Sequence, residues 1–196
     1  MLFVGLLLLC SLGCRKPAEH PLPTPSPPLP SPTPETISDG VVIDTSSEVI
    51  SVRSHGETIR EFHNAAFGSS GVGRKHKRGD HITPLGRFRI TAINRTSKFK
   101  LFLALGYPNQ DYAEQGLHEG VVNQSQHDAI VAALAKGSAP PQDTPLGGDI
   151  GIHGIGRGSI EIHRSVNWTD GCIALDNEQI TELVGFVNVG TEVLIR

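Results

Sequence analysis

The sequence predicts a β-rich α+β domain, sandwich-like, with about two helices. Three observations carry this reading. From Gly40 onward, short runs in which apolar and polar residues alternate recur between turn residues. Only two segments place apolar residues at helical spacing. No repeating strand-helix-strand rhythm is present, which argues against a doubly wound parallel sheet.

The elements follow in order. Residues 40–67, "GVVIDTSSEVISVRSHGETIREFHNAAF", alternate at Val42 and Asp44, at Val49, Ser51 and Arg53, and at Ile59, Glu61 and His63, and predict a β meander. A glycine-rich loop, "GSSGVGRKHKRGDHITPLG", comes next, followed by two strands in "RFRITAI" and "KLFLAL". Loops of that length inside a compact domain tend to be functional. "NQSQHDAIVAALAKG" is the clearest helix: Asn123 or Ser125 caps it, Ala129, Ile130, Ala133 and Leu134 form an apolar stripe, and Gly137 stops it. A shorter helix fits Asn177 to Val187, with Ile180, Leu183 and Val184 on one face, and "TEVLIR" closes the chain as a strand.

Ahead of this domain, residues 1–13, "MLFVGLLLLCSLG", form an apolar run shorter than the roughly 20 residues of a bilayer span, and fit a secretory signal core. The run ends at Ser11-Leu12-Gly13-Cys14, which resembles the bacterial lipobox, where cleavage leaves a cysteine that receives lipid. Ser11 departs from the usual leucine and no Lys or Arg precedes the apolar core, so an ordinary signal peptide is the alternative. Residues 15–38, rich in Pro, Ser and Thr, read as an extended linker: about 20 residues of polyproline II at about 3.1 Å each give a tether on the order of 60 Å. The folded domain is expected at 39–196, at the cell envelope on the extracytoplasmic or periplasmic side, anchored to a membrane through Cys14.

Net charge is −3 at pH 7, which gives no reason to expect a nucleic-acid partner. The "RKHKR" run at Arg74 to Arg78 reads as a solvated loop. Of the three cysteines, Cys10 lies in the signal and Cys14 would be lipidated, leaving Cys172. An exported domain with a single cysteine has no internal disulfide to make, so the free thiol calls for a reason.

Cys172 sits in "WTDGCIAL", directly after Gly171. A glycine there lets the backbone approach a substrate closely, and amides of such a turn can face a developing oxyanion. A thiol also needs a base, and two histidines lie upstream. His153 sits in "IGIHG", where a strand places it on the face opposite Ile150 and Ile152 and Gly154 ends the strand; His163 sits in the strand-like "SIEIHR". Taken alone, either histidine fits a surface or core position equally well, and a lone cysteine is often only a small buried hydrophobe.

The words "TPLGGDIGIHG", "WTDGCIAL" and "DNEQITELVGFVNVGTEVLIR", with "HITPLGRFRI" and "LGYPNQD" upstream, resemble the L,D-transpeptidase catalytic domain family, YkuD-type, in a subgroup with a TDGC turn. The separation, 172 − 153 = 19 positions, is slightly longer than the family's usual spacing. The resemblance implies an L,D-transpeptidase β-sandwich in which Cys172 is the nucleophile, His153 the base held by a backbone carbonyl, and Gly171 with the Cys172 amide the oxyanion site. It implies peptidoglycan stem peptides as partners, a monomeric enzyme, no metal and no cofactor. Gly154, Trp168, Thr169, Asp170, Tyr107 and Arg157 are the candidates for contact with substrate. Where the family often reads "SHGCIR", this chain has Asp170 for the histidine and Ala174 for the arginine, whose role Arg157 or Arg164 could take. Three further readings stand beside cross-linking or protein attachment. They are a hydrolase of the same fold, a non-catalytic peptidoglycan-binding lipoprotein, and a zinc hydrolase using His153, His163 and Cys172.

Overall fold

The structure, a computed structural model, describes residues 36–196, so the expected signal segment, the lipobox and nearly all of the linker lie outside the described residues. The folded unit reaches back to Ile37, a residue read from the sequence as linker. Its side chain packs with Val42 and Leu194, and the Ser38 carbonyl accepts from the Gly56 amide.

The meander forms as expected from β1 (Gly40–Asp44), β2 (Val49–Ser54) and β3 (Glu57–Phe62), paired antiparallel. His55 and Gly56 close the second hairpin with positive φ at both positions, the geometry that matches strand twist in a two-residue turn. Alternation sorts the side chains: Val41 and Ile43 enter the main core with Ile50 and Val52, whereas Val42 faces the opposite side. The edge strand β3 is exposed along its length except at Phe62.

The rest of the sheet comes from β6 (Gly86–Asn94), β7 (Phe102–Leu105), β8 (Gly151–Gly154), β9 (Ile173–Leu175) and β10 (Glu192–Ile195), once a short parallel pair, β4 (Val72–Gly73) with β5 (Thr83–Pro84), has pinned the glycine-rich loop. The sheet order is β3-β2-β1-β10-β6-β7-β8-β9. Strand β6 serves both halves, pairing with β10 through Gly86 to Arg89 and with β7 from Ile90 onward, with a register irregularity between Ile90 and Ala92. A bulge of this kind bends a sheet. The sheet curls until the segment after β3 meets the far edge: Ala66 and Ala174 exchange backbone hydrogen bonds of 3.0 and 2.8 Å, and Gly68 bridges Thr169. One apolar core containing Phe62, Phe67, Phe88, Leu103, Ile152, Ile173 and Leu175 fills the interior.

Among the described residues four helices are present where the sequence predicted about two. The two predicted ones are α2 (Gln124–Ala135), capped by Asn123, and α4 (Asn177–Leu183), capped by Asp176, each through a reciprocal capping box. The added helices are α1 (Gln110–His118) and α3 (Ile160–His163). "YPNQD" does hold turn chemistry, but Asn109 uses it as an N-cap, accepting the Tyr112 amide at 3.0 Å. The strand-like reading of "SIEIHR" is corrected in the same way: Ser159 caps a single helical turn, accepting from Ile162 N. Helices α1 and α2 share a second small core of Ala113, Val122, Ile130 and Leu146. No helix among the described residues is long and apolar enough to cross a membrane.

The "RKHKR" loop is only partly solvated. Lys75 is 3% exposed and pairs with Asp80, whose carboxylate also accepts the amides of His76, Lys77 and Ile82. One largely buried carboxylate thus organises the loop that leads into the segment meeting the TDGC turn.

Candidate active site

Strand β8 lies between β7 and β9, and its glycines are required by what surrounds the histidine. A Cβ on Gly151 would lie 2.6 Å from the Phe102 ring, and one on Gly154 would lie 2.7 Å from the Phe99 carbonyl and from Asn177 Oδ1. With both absent, aromatic rings close over His153. Phe99 stacks on it at 4.2 Å between centroids, Phe102 lies at 6.0 Å, and Trp168 presents an edge at 5.8 Å.

His153 is 2% exposed. Its Nδ1 donates to the Gly154 carbonyl at 2.7 Å, which leaves the Nε2 lone pair as the basic position. Burial holds its pKa below the usual 6.5, only partly offset by the Gly154 bond, and the charges of His163 and Lys98 push the same way as burial. The imidazole is therefore neutral at neutral pH.

Strands β8 and β9 pair in parallel with Ile152 opposite Ile173 and His153 opposite Ala174. Extending this register by one step sets Cys172 across from Gly151, two positions from His153 and on the same face. The Cys172 thiol donates to the Asp149 carbonyl at 3.3 Å. Asp149 is held at φ +56°, with its amide donating to Gln142 Oε1 at 2.6 Å. Burial pushes the thiol up to about 11; the Gly151 amide opposes this, the carboxylates of Asp170 and Asp149 add to it, and Lys75 opposes it from below. At rest the Cys172 thiol is protonated and the His153 imidazole is neutral.

The TDGC turn is built by hydrogen bonds that the sequence does not announce. Thr169 is buried, donates to the Cys172 carbonyl at 2.6 Å and accepts the Gly171 amide at 3.2 Å. It is a turn-forming residue and not a substrate contact. Gly171 sits at φ +123°, with space for a Cβ closed by the Ile82 carbonyl at 2.7 Å. Its expected role as an oxyanion donor is corrected, because its N–H is engaged by Thr169. The Cys172 amide has no partner among the described residues and is the donor that remains.

The other candidates divide. Tyr107 is fully buried, with its hydroxyl donating to the Leu146 carbonyl at 3.1 Å, and is a core residue beyond the reach of substrate. Gly154 is buried too, and its part is to orient His153. Trp168 is half-buried as a wall of the histidine pocket, its indole N–H donating to His163 Nδ1 at 3.4 Å. Asp170 is exposed and pairs with His81 at 2.7 Å. Arg157 is exposed on the turn after β8, and no contact ties it to Cys172. His163 is buried behind Trp168, so His153, His163 and Cys172 do not converge as a zinc set; among the described residues no three His, Cys, Asp or Glu could hold a metal. Sequence reasoning missed Phe99, Phe102, Asp149, Lys75, Asp80 and His81. The proximity of Phe102 could have been inferred only by pairing "KLFLAL" with "GIHG", which sets Phe102 opposite His153.

Residues 38–195 match the family described as the L,D-transpeptidase catalytic domain, YkuD. Among solved structures, the helical cell shape determining protein Pgp2 of Campylobacter jejuni is similar at 19% identity and a TM-score of 0.51, over 80% of this chain and 46% of that one. Bd1075 of Bdellovibrio bacteriovorus is similar at 20% identity and a TM-score of 0.51, over 81% and 48% respectively. The chain thus spans a little under half the length of these structures, and at such identities the likeness is one of fold. No curated protein matches the chain. The family match runs through every strand of the sheet and both sides of the Cys172–His153 site, and the chain belongs to the L,D-transpeptidase catalytic domain (YkuD) family.

Proposed function

We propose that the protein is a peptidoglycan-modifying cysteine enzyme of the L,D-transpeptidase type, acting on stem peptides through a thioester at Cys172. The observation that carries this reading is the β8–β9 register. It supports the reading because it runs the strand that begins directly after Cys172 alongside the strand that carries the tautomer-fixed imidazole of His153.

The chemistry follows from the two protonation states. When a stem peptide covers the site, His153 Nε2 accepts the thiol proton as sulfur attacks the carbonyl at the L-centre of the diamino acid. The oxyanion forms against the Cys172 amide. Collapse of the tetrahedral intermediate expels the terminal D-residue, whose amine takes the proton back from His153, and the acyl group remains on Sγ. An amine acceptor then gives a cross-link or an attached protein; water gives a shortened peptide, which is the hydrolase reading. The protein works as a monomer at the cell envelope, tethered through lipidated Cys14 and the proline-rich linker.

The test is mass spectrometry of purified muropeptides after incubation with the protein and with its Cys172→Ala form. Cross-linked dimers made only by the intact protein support a transpeptidase, and trimmed or released stems support a hydrolase. Unchanged muropeptides together with an unreactive thiol would overturn the enzyme reading in favour of a binding module.

A further inference from the structure

The loop segment His81 to Thr83 runs alongside the turn segment Asp170 to Cys172, residue against residue. His81 Nδ1 bonds Asp170 Oδ1 at 2.7 Å, the Ile82 carbonyl closes over Gly171, and the Thr83 hydroxyl donates to the Cys172 carbonyl at 3.4 Å. His81 holds positive φ, +55°, to present its ring to Asp170, a conformation uncommon for non-glycine residues and one that concentrates at functional sites. The result is a second imidazole, held on the residue two positions before Cys172. Its surroundings are the reverse of the buried base: the His81 side chain is 46% exposed and that of Asp170 90%. With Nδ1–H donated to the carboxylate, the lone pair of Nε2 is left toward solvent, and no partner occupies it among the described residues. A carboxylate that fixes the tautomer and orientation of an imidazole is the arrangement of a general base.

We propose that His81, oriented by Asp170, is the general base for the acceptor that resolves the Cys172 acyl-enzyme. The inference rests on the thioester reading above. It divides the two halves of the reaction between two histidines: the buried His153 handles the thiol and the leaving amine, while the half-exposed His81 meets the incoming amine or water. As the acceptor attacks the thioester carbonyl, its proton passes to His81 Nε2 and a new C–N or C–O bond forms. The C–Sγ bond then breaks with its electron pair on sulfur. The imidazolium releases its proton to solvent, and the thiolate takes one up, so both groups return neutral.

The experiment follows the two half-reactions separately in the full chain, using a stem tetrapeptide and intact-protein mass spectrometry at Cys172. In His81→Ala, acyl-enzyme forms at close to the unsubstituted rate, its breakdown slows about 10²-fold, and added imidazole restores part of the lost rate. Asp170→Asn gives a smaller slowing of the same step. Breakdown at the unsubstituted rate in His81→Ala overturns the proposal, and so does an equal fall in both half-reactions that imidazole does not rescue. If the unsubstituted protein forms no adduct at all, the thioester reading itself fails and takes this inference with it.

Discussion

His153 Nδ1 donates to the carbonyl of the very next residue, Gly154, at 2.7 Å, so the orientation of the base is set by its own strand and not by a third side chain. An orienter of that kind cannot be mutated away. Substitutions at the pair itself are therefore the direct probes. Cys172→Ala abolishes adduct formation and turnover with the thermal unfolding curve nearly unchanged, and His153→Ala lowers turnover about 10²- to 10⁴-fold. His163→Ala, which removes the buried ring that partners the Trp168 indole, costs less turnover than His153→Ala. The reverse ranking would transfer the role of base to His163.

The pH profile is expected to be broad on its acid side. Burial keeps His153 below 6.5, so the imidazole stays a free base into mildly acidic solution, and kcat/KM begins to fall at a lower pH than for an ordinary histidine. On the alkaline side the thiol ionises only near 11, so alkylation by iodoacetamide in the absence of substrate remains slow at pH 8 and rises steeply above pH 9. Rapid alkylation at pH 6 would contradict the neutral resting pair.

Stability carries the same signature. His153 and His163 both titrate below 6.5 in the folded chain, so the unfolded chain binds protons first as pH falls. Their contribution is fully present above pH 6.5 and is lost progressively below it. Thermal unfolding between pH 7 and 5 shows the decline, and His163→Gln, which cannot take up a proton, flattens it.

Gly171→Ala strains a backbone at φ +123° and drives a methyl into the Ile82 carbonyl. The expected destabilisation is about 1–3 kcal/mol by urea unfolding, with loss of activity greater than that stability change alone would cause.

Asp80→Ala strips the carboxylate from a buried ammonium and from three loop amides, and is expected to cost about 3–5 kcal/mol. The double variant Lys75→Met, Asp80→Leu recovers part of that loss, because no unpaired charge is then left inside. Chemical denaturation of the two variants side by side measures the difference.

Much of this was legible in the chain. The meander, α2 and α4 follow from alternation, from Asn123 standing before an apolar stripe and from the spacing of Ile180, Leu183 and Val184, whereas the pairing of "IHG" with "TDGC" came from the resemblance to the L,D-transpeptidase family and not from the residues alone. What stayed hidden depends on partners distant in sequence or on backbone groups, which have no side-chain signature. The Asp149 carbonyl at the thiol is one case. Tyr107 is another: it was a candidate for contact with substrate, yet its hydroxyl reaches the Leu146 carbonyl in the interior. Lys75 looked like one of several solvated cations, and only the fold of the loop around Asp80 distinguishes it from Lys77. The turn "SIEIHR" failed because four residues with alternating isoleucines fit a strand and a capped helical turn equally well.

The bridge between Ala66 and Ala174, like the parallel pairing of Val41 with Val193, joins parts of the chain that are synthesised far apart in time. Contacts of such long sequence separation are slow to form, because the intervening chain must lose its freedom before they return anything. Strand β9 is flanked by β8 on one side and by the Ala66 segment on the other, so the nucleophile acquires its environment only once both have docked. The raised pKa of the Cys172 thiol comes from burial, so the thiol becomes firmly protonated only as one of the last events of folding, and before that it ionises as an ordinary cysteine does.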